Sequence, residues 1–165
     1  MYYSSIDSKA IDVIADYIES NRGPMTSGVE VIRGFQGIDL PCPRIEIMVD
    51  QSSMEVIGEC KTGNWFLTCS VSFVVGYDER GTDNRNVWTP SYRADAESEL
   101  FDAILQDDLP SKLNAHVNGR EIYFFGGVEG EGAGLDEPIT IRPMLGMDGE
   151  MKKELSFILY CKASA

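Results

Sequence analysis

The sequence has few of the residues that most often build metal centres and catalytic sites. It contains one histidine, His116, and its four cysteines form no Cys-x-x-Cys pair. Structural zinc sites usually take such closely spaced ligands, so we expect no bound metal. No serine lies in a Gly-x-Ser-x-Gly motif, which leaves a hydrolase triad without support. These absences favour a protein that is not an enzyme and that needs no cofactor.

Positive charge is also scarce. The chain has 14 basic and 27 acidic residues, and its net charge is −13. A surface of this sign repels nucleic acid and anionic lipid instead of binding them. Two interpretations stay open: the charge keeps the protein soluble, or it forms a wall along which another polyanion moves without binding.

Long apolar segments are missing as well. No run approaches the ~20 residues that span a bilayer, and the first residues lack the basic region and apolar core of a signal peptide. We therefore expect neither a membrane span nor an export signal.

An even number of cysteines permits two disulfides, but we expect reduced thiols, as in cytosolic proteins.

The length fits a single domain over residues 1 to 165, and a domain of this size buries ~70% of its unfolded surface. Pro24 to Pro43 is the segment with the least regular pattern, although Val29 and Val31 suit a short strand. This segment is either an extended arm that reaches a neighbouring subunit or an irregular surface loop.

The clearest pattern in the chain runs from Trp65 to Tyr77. Apolar residues occupy its odd positions, and small hydroxyls occupy Thr68, Ser70 and Ser72 on the even side. Such alternation in β-branched and aromatic residues predicts a central β-strand with one buried face. We expect the hydroxyl side to be only partly covered.

Helical spacing predicts a first helix from Ser5 to Asn21 and a second that begins at Pro90 and buries Leu105. A short third helix follows Asp108. The remaining strand candidates are Arg44 to Val49, Met54 to Cys60, Ile122 to Gly127, Ile139 to Met144 and Glu154 to Lys162, with turns at Asp50 to Ser53 and at Lys61 to Asn64. This order indicates an α+β domain: a mainly antiparallel β-sheet with an N-terminal helix and a central helix packed on one face.

Two polar stretches stand between these elements. Asp78 to Asn86 lacks the ligand spacing of a calcium loop. Val128 to Pro138 is acidic and rich in glycine, but it lacks the Gly-x-Gly-x-x-Gly order of a nucleotide loop. We expect both to be solvated loops that are long enough to contact another subunit.

Several of these elements together resemble a known family. They are the Thr62-Gly63-Asn64 turn, the long strand FLTCSVSFVV, the helix ADAESELFDAIL, the segment QDDLPSKLN, the aromatic strand YFFGGV and the closing strand LSFILYC. In this order they are similar to the tail-terminator, or tail-completion, proteins of long-tailed bacteriophages and prophages. The resemblance covers most of Arg44 to Cys161.

This resemblance implies a structural protein of the virion neck, assembled in the cytoplasm of a host bacterium. Members of the family form a ring, usually of six copies, that caps the tail tube and joins it to head-completion proteins. Genome DNA passes through the ring without specific binding, which an acidic lumen would permit.

The resemblance also suggests where the subunits of a ring would meet. A ring contact is heterologous, with one patch meeting a different patch on the next copy. Candidate contact or lumen residues are Arg80 and Arg85 in the first loop, Glu129 and Glu131 in the second, and the hydroxyl row Thr68, Ser70 and Ser72. Three alternatives stay open: these side chains are simply solvated, the chain is a tail-tube or baseplate-hub subunit, or it is a small-ligand-binding module or enzyme.

Overall fold

The computed structural model describes residues 3–34, 40, 42–76, 90–126, 136–145 and 150–163. Within these residues the chain forms three helices and six strands. They are, in order, α1 (Tyr3–Asn21), β1 (Glu30–Arg33), β2 (Arg44–Ile57), β3 (Cys60–Val75), α2 (Pro90–Ile104), α3 (Leu109–Asn114), β4 (Ile122–Phe125), β5 (Asp136–Leu145) and β6 (Met151–Ala163). The order of helices and strands agrees with the prediction in number, but the strands differ: Glu30–Arg33 is an additional strand, and the two strands predicted at 44–49 and 54–60 are one strand, β2. The first helix begins two residues earlier than its pattern indicated.

The strands form one curled, mixed sheet in which β3 is central. Hydrogen-bonded neighbours follow the order β1-β2-β3-β6-β4, and β5 also pairs with β6. The β1–β2 pair is parallel, and the other pairs are antiparallel. The domain is therefore α+β, as the sequence predicts.

One edge of β6 is shared by two strands. β4 pairs with its C-terminal end, from Tyr160 to Ala163, and β5 pairs with its first part, from Met151 to Ile158. The other edge of β6 follows β3 from Asn64 to Val75. As a result, β4 and β5 lie at opposite ends of the same side of the sheet.

The hydrophobic core lies between the odd-numbered face of β3 and the helices. Leu67, Cys69, Val71 and Phe73 are completely buried on this face and belong to one apolar cluster with residues of all three helices. Since successive strand residues point to opposite faces, the period of two in the sequence decided which side chains enter the core. The predicted packing of this face against α1 and α2 is confirmed.

Both predicted turns before β3 are wrong. Residues 50–53 continue β2 across an irregularity between Val49 and Gln51, because a bulge absorbs the break in the pattern. The hairpin reverses at Gly58 and Glu59, where Gly58 adopts a φ of 62° that favours glycine. Gly63, with a φ of 80°, instead lies beside a second irregularity within the hairpin.

Other boundaries differ from the sequence pattern in smaller ways. In Pro24 to Pro43, the stretch Glu30–Arg33 is a strand of the sheet and not a free arm. Leu105 is 38% exposed because α2 ends one residue before it. β5 begins at Asp136, inside the stretch that composition predicted to be a loop, because it gains a partner in β6.

Ion pairs hold α1 against the rest of the domain. Arg33 of β1 contacts Asp16 at 2.7 Å and Asp12 at 3.1 Å, and Arg120 contacts Asp16 at 2.6 Å. Burial alone would raise the pKa of Asp16, but the hydrogen bonds from Arg33 and Arg120 outweigh it and lower that pKa. α1 is also tied to α2, because the Tyr17 hydroxyl donates to the Ala103 carbonyl. Within the described residues, no helix is long and apolar enough to cross a membrane.

Candidate functional site

The hydroxyl row of β3 is more deeply covered than the sequence suggested. Ser70 and Ser72 are 2% and 1% exposed, whereas Thr68 is half-buried. The register places Ser72 between Glu46 of β2 and Glu154 of β6. A short side chain between two long ones lies below them, which explains the burial of Ser72, whereas Ser70 lies between Met48 and Ser156. The expectation of a partly covered face is wrong for both serines.

The long side chains over this row form an ion-pair network that crosses the sheet. Arg44 contacts Glu150 at 2.7 Å and Glu46 at 3.4 Å. Lys152 approaches Glu46 at 3.9 Å and Glu154 at 4.0 Å. Opposite charges thus alternate along the face, and each acidic group of the network has a basic neighbour. We call this side of the sheet the polar face.

Arg44 is the most enclosed base of the polar face. Its side chain is 8% exposed, and its two terminal nitrogens bond both oxygens of Glu150, at 3.0 and 2.7 Å. The bonds that Arg44 donates to Glu150 are the main cause that raises the pKa of Arg44. Charges buried to this degree stabilise a fold only while they remain paired, since an isolated buried ion costs several kcal/mol.

A shallow pocket opens on the polar face next to β5. Its volume is about 250 Å³, and it is lined by Thr68, Thr140, Arg142, Ser156, Phe157 and Ile158. Arg142 donates to Glu154 Oε1 from Nε and Nη2, at 3.3 and 3.1 Å, while 60% of its side chain is exposed. The pocket holds hydroxyls and one paired arginine, so it offers hydrogen bonds but no general base of its own.

The β2–β3 hairpin projects beyond the sheet. The last pair between β3 and β6 joins Asn64 to Lys162, so residues 55–63 have no third strand beside them in the described chain. We call these residues the hairpin arm. Its base is tied by the Thr62 hydroxyl, which donates to the Glu55 carbonyl at 3.1 Å.

Among the described residues, large aliphatic side chains are exposed at two separate places on the strands, and Tyr123 of β4 is exposed as well. Val56 and Ile57, near the end of the hairpin arm, are 55% and 67% exposed. Ile139 and Ile141 of β5 are 41% and 45% exposed, although the pairing of Ile141 with Leu155 puts it on the core face of the sheet. Both places expose apolar area that a folded monomer would otherwise bury, which is the usual mark of a contact surface.

The four cysteines divide by exposure, and none of them forms a disulfide. Burial raises the pKa of Cys69, and it raises that of Cys161 to about 12, so both thiols stay protonated. Cys60 is exposed on the hairpin arm. Cys42 lies beside Arg44, with Nη1 at 3.1 Å from its sulfur.

Among the described residues, burial raises the pKa values of two carboxyl groups. Asp7 of α1 has one oxygen, Oδ1, with no hydrogen-bond partner among the described residues, while a bond from Ser52 partly offsets the effect of burial. Burial raises the pKa of Glu97 in α2, and the charges of Arg93 and Lys153 only partly offset this rise. They lie on different helices, and neither borders the pocket. Across the described residues, no group of three or more His, Cys, Asp or Glu side chains could hold a metal ion.

The structure places some of the predicted contact residues and leaves others unplaced. Arg80, Arg85, Glu129 and Glu131 lie outside the described residues. The polar network and the apolar end of the hairpin arm were not predicted. The alternation of Arg44 and Glu46 with Ile45 and Ile47 could have predicted charged residues on one face of β2. No such signal existed for the hairpin arm, because its position depends on where the hairpin turns.

The described chain therefore offers one charged face with a small pocket and two exposed apolar sites on strands. Neither arrangement brings together a nucleophile, a base and an oxyanion site of the kind that acyl transfer requires. The chain matches no protein-family model and no curated protein sequence, so the case for its function rests on its own sequence and geometry.

Proposed function

We propose that this chain is a non-enzymatic virion assembly protein that caps a phage tail tube as a ring. The observation that carries the proposal is the position of its exposed apolar residues. Val56 and Ile57 lie on a projecting arm, and Ile139 and Ile141 lie on a strand at the side of the sheet. Apolar area on projecting elements suits contacts with other subunits, whereas a ligand site would gather it inside a concave pocket.

The order of elements supports the more specific assignment to the tail terminators. The stretch FLTCSVSFVV belongs to the central strand β3, and ADAESELFDAIL supplies most of α2. QDDLPSKLN contains α3, and LSFILYC lies within β6. These four patterns therefore belong to the framework of one sheet with its helices. The Thr62-Gly63-Asn64 turn does not have the role that the resemblance gave it, because the hairpin reverses at Gly58 and Glu59.

The proposed partners follow from the same role. The ring contacts the tail-tube protein on one side and head-completion proteins on the other, and it resides in the neck of the virion. Genome DNA passes through its lumen. The net charge of −13 supports this passage, because a wall of the same sign as the DNA does not retain it.

Electron microscopy of tail tubes tests the proposal. Tubes are assembled from the tail-tube protein of the same genome, with and without the purified chain. We expect added protein to form a ring on one tube end and to stop elongation. A protein that stays monomeric at high concentration and forms no ring on tubes would overturn the proposal.

Two other functions would give different results with the same purified protein. A tail-tube or baseplate-hub subunit would polymerise by itself into long tubes, or it would bind away from the tube end. A small-ligand-binding module would use the pocket of about 250 Å³, which is smaller than the roughly 300–1,000 Å³ of most ligand sites. A thermal shift with a metabolite, lost in Arg142→Ala, would favour that function.

A further inference from the structure

We infer that the hairpin arm of one copy docks on β5 of the next copy, so that the two exposed apolar sites are the halves of one contact. The inference deepens the proposed function, on which it rests, by naming the surfaces that join the subunits. It starts from Val56 and Ile57 on the arm and from Ile139 and Ile141 on β5, four of the most exposed large apolar side chains in the described chain.

The two sites cannot meet within one chain. Ile141 lies level with Leu155 on β6, while the arm begins beyond Lys162, roughly 24 Å further along at ~3.4 Å per residue. The arm itself adds roughly 14 Å between Asn64 and Cys60. Two different patches at opposite ends of a rigid sheet can pair only between copies, and such a head-to-tail contact is the heterologous type that closes rings.

The backbone at both sites suits strand addition. β1 pairs with β2 only from Arg44 to Ile47, so in the described chain the outer edge of β2 carries no strand from Met54 to Ile57. The outer edge of β5 likewise has no partner strand among the described residues. Open edges pair readily with a strand of another chain, and main-chain hydrogen bonds would supplement the apolar contact.

The charges beside the apolar residues are complementary. Glu59 is exposed at the turn of the arm, two residues after Ile57. Arg142, which follows Ile141, bonds Glu154 while 60% of its side chain stays exposed. The pairing of the arm with β5 would bring an acidic group towards a basic one.

Cross-linking tests the contact directly, because Cys60 is a natural thiol on the arm. The variant Ile141→Cys is treated with a short bismaleimide under assembly conditions. We expect a ladder of covalent multimers that disappears when Cys60→Ser is added. Tyr123→Cys is the matched control, since Tyr123 is 46% exposed on β4, next to the base of the arm and not on β5. The wild-type protein controls for links through its own cysteines.

Mixing two variants tests the head-to-tail geometry. Ile57→Asp removes the arm site, and Ile141→Asp removes the β5 site. Each variant alone should sediment as a monomer, and an equal mixture should give a dimer, because one intact pair of surfaces remains. Circular dichroism and thermal unfolding should match wild type, since both positions are exposed. The contact would be overturned if each variant alone assembled as the wild type does. It would also be overturned if the cross-link at position 141 still formed after Cys60→Ser.

The outcomes separate this inference from the proposed function. A ring that caps tail tubes but gives no link between positions 60 and 141 would refute the contact and leave the function. Linked multimers that never bind tube ends would support the contact and refute the function. A chain that stays monomeric and unlinked at every concentration would refute the contact, and a failure to form rings on tubes would then refute the function as well.

Discussion

The two faces of the central strand are both buried, but they are buried by different chemistry. On the odd face, Val71 and Phe73 lie at 0% exposure in a continuous apolar cluster. On the even face, Ser70 and Ser72 lie at 2% and 1% exposure, and Ser72 is flanked by the paired charges of Glu46 and Glu154. The difference teaches that alternation in a strand separates two kinds of neighbours, and that it does not by itself separate buried residues from solvated ones.

The two kinds of burial differ in how they stabilise the fold. Apolar burial contributes roughly 25 cal/mol for each Å² removed from water. The polar network contributes less on balance, because the cost of desolvating each ion offsets much of its attraction to a partner. Its groups nevertheless depend on one another. When one partner is removed, the desolvation cost of the remaining charges is no longer offset.

The largest effect is expected on the apolar face. Phe73→Ala should lower the free energy of unfolding by about 3–5 kcal/mol, because it leaves a cavity among fully buried neighbours. Phe66→Ala is the control on the same strand, since Phe66 lies half-buried on the opposite face. Urea unfolding of both variants compares the two faces. Equal losses would show that the faces do not differ as described.

The next effect concerns the polar face. Arg44→Ala should cost about 3 kcal/mol, because it leaves Glu150 and Glu46 close together without their shared base. Glu150→Gln and the double variant complete a mutant cycle, measured by urea unfolding. We expect a coupling of about 1–3 kcal/mol between the two positions. Additive losses would mean that Arg44 and Glu150 do not stabilise each other.

A smaller effect is expected where α1 is tied to the sheet. The pKa of Asp16 is lowered from 3.8, so its charge stabilises the fold above that value and the contribution is lost as pH falls through the folded pKa. Asp16→Asn should cost about 1 kcal/mol at neutral pH. The difference from wild type should persist down to about pH 4 and shrink only below it, as pH falls through the folded pKa, which urea unfolding at several pH values can check. A loss that is independent of pH would assign the effect to packing.

The smallest effect has the opposite sign. The pKa of Asp7 is raised from 3.8 by burial, so the folded state binds more protons and stability is lost as pH rises through the folded pKa. Asp7→Asn removes this charge and should stabilise the protein by about 0.5 kcal/mol at neutral pH. The gain should shrink towards pH 4 in thermal unfolding. A destabilised variant at neutral pH would show that the carboxylate is held by bonds that only the charged form can make.

The sequence predicted more of the framework than of the candidate contact surfaces. Periodicity identified the helix that ends at Asn21 and the central strand, because both depend on which local positions are apolar. It misplaced the hairpin turn, because Gly58 and Gly63 both favour a positive φ and only strand pairing decides between them. The arm with Val56 and Ile57 follows from that choice, so no local pattern could reveal it.

The sequence by itself determined the α+β class, the odd face of β3 as the core side and the strongly acidic charge. These properties depend on composition and on neighbours within a few residues. Only the tertiary structure decided that β5 pairs with β6, that Arg44 meets Glu150 across 106 positions of sequence, and that the hydroxyls of Ser70 and Ser72 are covered. Such contacts join segments that are far apart in the chain, and strand register, which the long-range pairing of the sheet sets, brings them together.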